Sequence, residues 1–418
     1  MFQLGFLFAL VVSLVWPGDV PDPAGVGDQL AWSVLCLCGA APILLVAVSD
    51  RQRLRTPLDP FLGVYLLLVL ATSITSVDRP QTLLAVIALL GNLAVFYATV
   101  VTLRRTDLTA AVVLAVVVIG IAILELIAVE FHLEQGLLAR PAAYPRPAGW
   151  SGYPELGLLA AIQVAILIAM AQERQSWWAR AATLALLVVT LCELAFLYSR
   201  LAWMAVVGVA GAAAAVAVRA HHVRRLAVVG VVMLAFGGVL IFQNTTLRNL
   251  TGSVVGIESS TGAARASQRF LIWQRTAALI RDYPWHGVGL GNFALVYEPN
   301  YNPRLNPDLR RGGHAHNLWL HQTAELGLPG GMAYLALWVA VLVIGWKRAS
   351  SSLYQRAAFY VLVAVAFRSL GDNMFFSLAG GSARLSTLAW IYFALVAGER
   401  GPTPLPDPSR PNLATARP

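Results

Sequence analysis

The sequence predicts an all-α polytopic membrane protein, with about twelve transmembrane helices and one large external loop subdomain between spans 9 and 10. Three observations carry this. Of 418 residues, 58% are hydrophobic and 12% are charged, where a soluble domain carries roughly a quarter charged residues. The apolar residues run together: Leu108 to Val129 contains one charge, Glu125, and a run of about 18 such residues reads as a membrane helix. Finally, the basic residues collect in every second loop, which the positive-inside rule assigns to the cytoplasmic side.

Taken in order, residues 1–129 hold spans near 2–16, 29–48, 59–76, 82–103 and 108–129. The first lacks a basic n-region and a small-residue cleavage site, so it reads as a retained span. An external loop follows at 130–153. Residues 154–243 hold spans near 154–172, 179–199, 202–218 and 226–243. The segment 244–329 is too long for a plain connector and reads as an external subdomain with amphipathic helices. Within it, Phe270, Trp273, Ala277 and Ile280 recur at helical spacing. Residues 330–398 hold spans near 330–346, 355–370 and 384–398, and the Pro-rich tail 399–418 reads as disordered. The stretches around Arg55, Arg104, Glu173–Arg180, Arg219–Arg225 and Lys347–Arg356 are the basic loops, which puts both termini in the cytoplasm.

The formal net charge is +9, and all but one of the 30 basic residues are arginine. In a soluble protein this balance raises nucleic acid as a partner. Here loop topology accounts for it, and no nucleic-acid partner is expected. Cys36, Cys38 and Cys192 fall in apolar runs and read as packing residues.

Chemistry-bearing residues concentrate on the predicted outer side. Arg200 sits at a tight turn between two spans, where positive charge is disfavoured, and so reads as functional. Glu193, seven residues earlier, is placed to orient it or to be a buried structural acid. The large loop carries eight arginines, most of them solvated. Arg269, which opens an amphipathic helix near Arg265, suits an anionic ligand, because a planar guanidinium grips phosphate oxygens in pairs. The stretch His314–Gly330, "HAHNLWLHQTAELGLPG", holds three histidines, the residue type of a neutral-pH base. It reads as helix, with His314 and His321 on one face and His316 pointing elsewhere, until Gly327–Gly331 interrupts it. No third ligand lies near these histidines for zinc, and no Asp-x-Asp pair is present. Gly287, Gly289 and Gly291 read as a tight backbone turn, a poor nucleotide signal without a βαβ unit.

His316 and Asn317, then nine residues, Gly327, two residues and Gly330 fit a pattern that resembles the signature of the O-antigen ligase and polymerase superfamily. Three other stretches resemble the same family in the same order. These are "RFLIWQRTAALIRDYPWHGVGLGNF", "YSRLAWMA" and "RPAGWSGYPELGLLA", so that the likeness spans roughly residues 146 to 346. Met204 and Glu155 depart from the family pattern. The resemblance implies a metal-independent membrane glycosyltransferase without cofactors, working on the outer face of the bacterial inner membrane. Its donor would be a glycan on undecaprenyl diphosphate. Its acceptor would be lipid A–core or another saccharide, and membrane lipids would surround both. Carried over by position, Arg200 and Arg269 bind the diphosphate, His316 acts at the acceptor hydroxyl, and Arg146 is a further anion contact. The resemblance favours ligase slightly over repeat-unit polymerase. A lipid-linked glycan flippase is the alternative from another class, but related halves with matching broken spans are not evident.

Overall fold

The computed structural model describes residues 26–48, 54–104, 108–135, 153–173, 175–197, 199–220, 257–301, 314–372 and 382–398, with short helical pieces between 229 and 238. The expected first span, most of the ninth, Arg146 and the tail 399–418 lie outside the described residues, as do the side chains of Arg200 and Arg265. The described chain is helical, with no strand. Its helices are α1 (Val26–Val48), α2 (Asp59–Ile74), α3 (Arg79–Leu103), α4 (Leu108–Gln135), α5 (Tyr153–Ala171) and α6 (Trp177–Phe196). They continue with α7 (Arg200–Arg219), α8 (Ile257–Asp282), α9 (Phe293–Tyr301), α10 (Leu318–Arg348), α11 (Leu353–Arg368) and α12 (Ser382–Gly398). Six described helices are long and apolar enough to cross a membrane, and three shorter ones are apolar as well. The protein is thus an all-helical polytopic membrane protein.

Short polar residues start several of these helices. Asp78 accepts from the Gln81 amide, Ser176 from Ala179, Ser199 from Ala202 and Ser352 from Gln355. Each satisfies one of the amides that a helix start leaves without a partner. Packing then sorts the helices. α11 lies against α5, α7, α10 and α12, while α3 packs on α1 and α12, and α2 packs on α10. The side chains of α11 from Gln355 to Val365 are all buried, as are those of α12 from Leu385 to Ala397. Leu45, Leu67 and Leu126 point outward instead. An apolar exterior is what hydrocarbon as solvent permits, because burial against lipid and burial against protein cost the same.

The two ends of the bundle differ in chemistry. At one end Arg104 donates to the carbonyls of Arg55 and Gly398, Arg348 donates to Val396, and Arg219 donates to Trp346 while stacking over its ring. Arg356 pairs with Glu173 there as well. At the other end the turn after α11 meets the start of α10, the start of α7 abuts that same turn, and Val77, after α2, donates to the Val288 carbonyl. α10 has 31 residues, and Gly327 breaks it, so that its first turns are set off from the long apolar stretch that follows.

Candidate functional site

A glycine turn docks on the start of α10. Gly287, Gly289 and Gly291 all have positive φ, conformations that glycine adopts without penalty. The amides of Val288 and Gly289 donate to the carbonyls of Ala324 and Glu325 at 3.1 and 2.9 Å. Leu328 donates back to Pro284 at 2.7 Å. This return is possible because Gly327, at φ 70 and ψ 177, breaks the helix inside α10. A Cβ on Gly327 would lie 2.5 Å from the Trp285 carbonyl carbon. From the same turn, the Asn292 amide nitrogen faces Ser76 Oγ (2.7 Å), Asp78 O, Thr82 Oγ1 and Val288 O (each 3.1 Å). The turn is thereby tied to the α2–α3 connection. Above it, Leu279, Val288, Phe293, Val296, Tyr297, Ala315 and Ala324 form a small hydrophobic cluster separate from the bundle core.

The histidine loop sits on this support. α10 begins at Leu318, with Asn317 capping it through Leu320 N at 3.0 Å. His314–Asn317 precede the helix, and His316 has φ 47, a left-handed conformation uncommon outside glycine. The sequence expectation of one helix through all three histidines is corrected here. His314 and His316 converge, and His321 is the one that points elsewhere. His314 Nε2 and His316 Nδ1 each lie 3.6 Å from the same oxygen of Asp372, and their ring centroids are 4.2 Å apart. Arg368 Nη2 holds the other Asp372 oxygen at 3.1 Å. Burial would push the Asp372 carboxyl up, but the two histidines and Arg368 more than reverse this and hold it well below the usual carboxylate range. Burial pushes His316 below its ordinary value, the charges of His314 and Arg269 push the same way, and Asp372 opposes them. His316 therefore stands neutral near pH 7, with Nδ1 toward a carboxylate.

His321 is buried and belongs to a separate chain of contacts. Ala315 N lies 3.4 Å from its Nδ1, and its Nε2 lies 3.3 Å from Glu325 Oε1, which also takes the Phe293 amide at 3.4 Å. It ties the histidine loop to the glycine turn. Asn317 Nδ2 donates to Leu370 O, and Leu318 N to Ser369 O, each at 3.0 Å, so α10 is pinned to the turn carrying Asp372. Gly330 is buried in the turn after the kink.

The arginines arrive from two elements. Arg269 lies in α8 and is half-buried, within electrostatic reach of His316. Ile272, Thr276, Leu279 and Ile280 of α8 pack inward, so that of the expected apolar face Ile280 joins the cluster while Phe270 is 59% exposed. Arg200 is the first residue of α7. Its neighbour Leu201 abuts Gly371 so closely that a Cβ there would collide with it. The helix start that carries Arg200 is thus beside the Asp372 turn. Glu193 is buried in α6.

Asp372 is the residue that sequence reasoning missed. It lies at the far end of α11, and nothing local in "RSLGDN" marks it. With His314 and His316 it offers three ligand atoms within 4.8 Å of one another, a set able to hold a metal ion. The sequence expectation of no third ligand holds only along the chain, since the fold brings one in. A family model described as O-antigen ligase matches residues 185–335. The match takes in Arg200, Arg269, His316, Gly327 and Gly330, and leaves out Arg146 and Asp372. No curated protein matches the chain.

Proposed function

We propose, from the match of an O-antigen ligase family model to residues 185–335, that this protein transfers a glycan from undecaprenyl diphosphate to a saccharide hydroxyl, lipid A–core or another glycan. The reaction belongs to the outer face of the bacterial inner membrane, with the arginine-rich end of the bundle in the cytoplasm. The observation that carries the reading is the convergence of His316 on Asp372 within reach of Arg269.

In this reading Asp372, 3.6 Å from Nδ1 of His316, closes on it when the acceptor binds. That fixes the Nδ1–H tautomer and leaves the Nε2 lone pair for the acceptor hydroxyl, the logic by which a buried carboxylate orients a histidine base. The acceptor oxygen bonds to the anomeric carbon, the bond to the diphosphate oxygen breaks, and the proton goes to Nε2. The departing diphosphate takes the electron pair. Arg269 and Arg200 meet its growing charge, which is worth most where water is excluded. His314 keeps the Asp372 carboxylate ionised. Arg146 and Arg265 are further anion contacts, and the polyprenyl tail stays in lipid. This chemistry uses no metal, so transfer is expected to survive EDTA. Loss of activity restored by a divalent ion would assign the His314–His316–Asp372 set to metal instead.

The test is a transfer assay with purified protein and undecaprenyl-diphosphate glycan, with acceptors offered separately. Product on lipid A–core makes the protein a ligase, and ladders grown from donor alone make it a repeat-unit polymerase. His316→Ala should abolish either product while leaving the protein folded in membrane. Donor binding without product for any acceptor would favour transport of the lipid-linked glycan.

A further inference from the structure

Away from the histidines, a polar cluster lies inside the bundle among α4, α5 and α6. Gln163 Nε2 donates to Glu125 Oε2 at 2.8 Å and approaches Thr190 Oγ1 at 3.1 Å. Thr190 Oγ1 is itself 3.1 Å from Glu125 Oε2 and 3.0 Å from the Leu186 carbonyl. Glu125 is 1% exposed, and Gln163 and Thr190 are 0% exposed. All the donors gather on one carboxylate oxygen. Glu125 Oε1 and Gln163 Oε1 are buried with no hydrogen-bond partner. A second buried acid, Glu193 on α6, is close enough for its charge to act on Glu125.

Two acceptor oxygens without donors are costly at membrane depth, where no water competes to satisfy them. What they lack is a donor, a shared proton or a cation. An ionisable residue inside a membrane bundle marks an ion or proton position more often than a packing role. We propose that Glu125, Gln163 and Thr190 form an intramembrane site for a small monovalent cation, Na+ in exchange with a proton. The two free atoms, Glu125 Oε1 and Gln163 Oε1, are both oxygens, which suits a hard cation, and Thr190 steadies the carboxylate through its other oxygen. A divalent ion is disfavoured, because the cost of stripping its water rises steeply with charge. The site is independent of the transfer reaction and uses none of its residues.

The experiment uses the full-length protein in liposomes and dicyclohexylcarbodiimide, which forms a stable acylurea on protonated carboxyls in apolar surroundings. Mass spectrometry of the digested protein locates the adduct. With N-methylglucamine as the only cation, Glu125 should be modified, and replacing N-methylglucamine with Na+ should suppress the modification. Glu125→Gln should lose the adduct. Thr190→Val removes the hydroxyl that steadies the carboxylate but leaves the carboxyl, so modification should persist while the Na+ concentration needed for protection rises about tenfold, the worth of one lost hydrogen bond. An absent adduct, or one equally abundant in Na+ and N-methylglucamine, would overturn the proposal. So would an adduct that persists in Glu125→Gln.

Discussion

At His316 two influences oppose each other, and on the proposed mechanism their balance sets how transfer depends on pH. Burial and the neighbouring charges favour the neutral ring, and Asp372 favours the protonated one. The net shift is downward, so the base stays competent at neutral pH and below. Activity is expected to fall only as pH drops through a value under the ordinary 6.5 or so of histidine. Asp372→Asn removes the influence that raises His316, so the acid limb of the kcat profile should move to still lower pH. The maximal rate should drop by roughly a hundredfold or more, as when a base loses its orienting partner. An unmoved limb would mean that Asp372 does not act through His316. Arg269→Lys keeps the charge and loses the paired grip on phosphate oxygens. It should weaken donor binding and lower kcat/KM, and wild-type values would remove Arg269 from the diphosphate site.

At the level of elements, the seam between the glycine turn and α10 decides whether the histidines are held in place. Gly327→Ala puts a Cβ against the Trp285 carbonyl in a left-handed conformation. It should cost about 1–3 kcal/mol, visible as a lower Tm in detergent, and an unchanged Tm would show that the seam does not support the fold. The kink and the tight turn were legible in the sequence because glycine spacing states a backbone requirement directly. The apolar runs likewise announced α3, α4, α6 and α7. The packed face of α8 was not fully legible, because Ile272, Thr276 and Leu279 include a polar residue that satisfies itself on the Ile272 carbonyl at 2.8 Å. Nor was Asp372, whose role rests on α11 returning beside the start of α10. Periodicity reports what one helix buries, and says nothing of which distant turn it meets.

Across the described residues, the two ends of the bundle differ in what their charged groups meet. On one side the last carbonyls of α12 are met by Arg348 and Arg104 and the Trp346 carbonyl of α10 by Arg219, and on the other the histidines and Asp372 gather. The orientation expected from the loops is open to a direct test. A cysteine introduced in the tail by Ala414→Cys should be reached by a membrane-impermeant maleimide only from the cytoplasmic face. Arg310→Cys, in the large loop, should react only from outside. Equal labelling from one face would invert or break the twelve-span topology.

The position of Asp372 also imposes a chronology. A growing chain that has emerged through α10 already displays the arginines of α7 and α8, the glycine seam and all three histidines. Its candidate base nevertheless faces no carboxylate until α11 has crossed and returned the chain to the same side. On the proposed mechanism an unfinished chain lacks the group that orients its base. Full competence then arrives in one late event of synthesis, once α11 has returned Arg368 and Asp372 to the site.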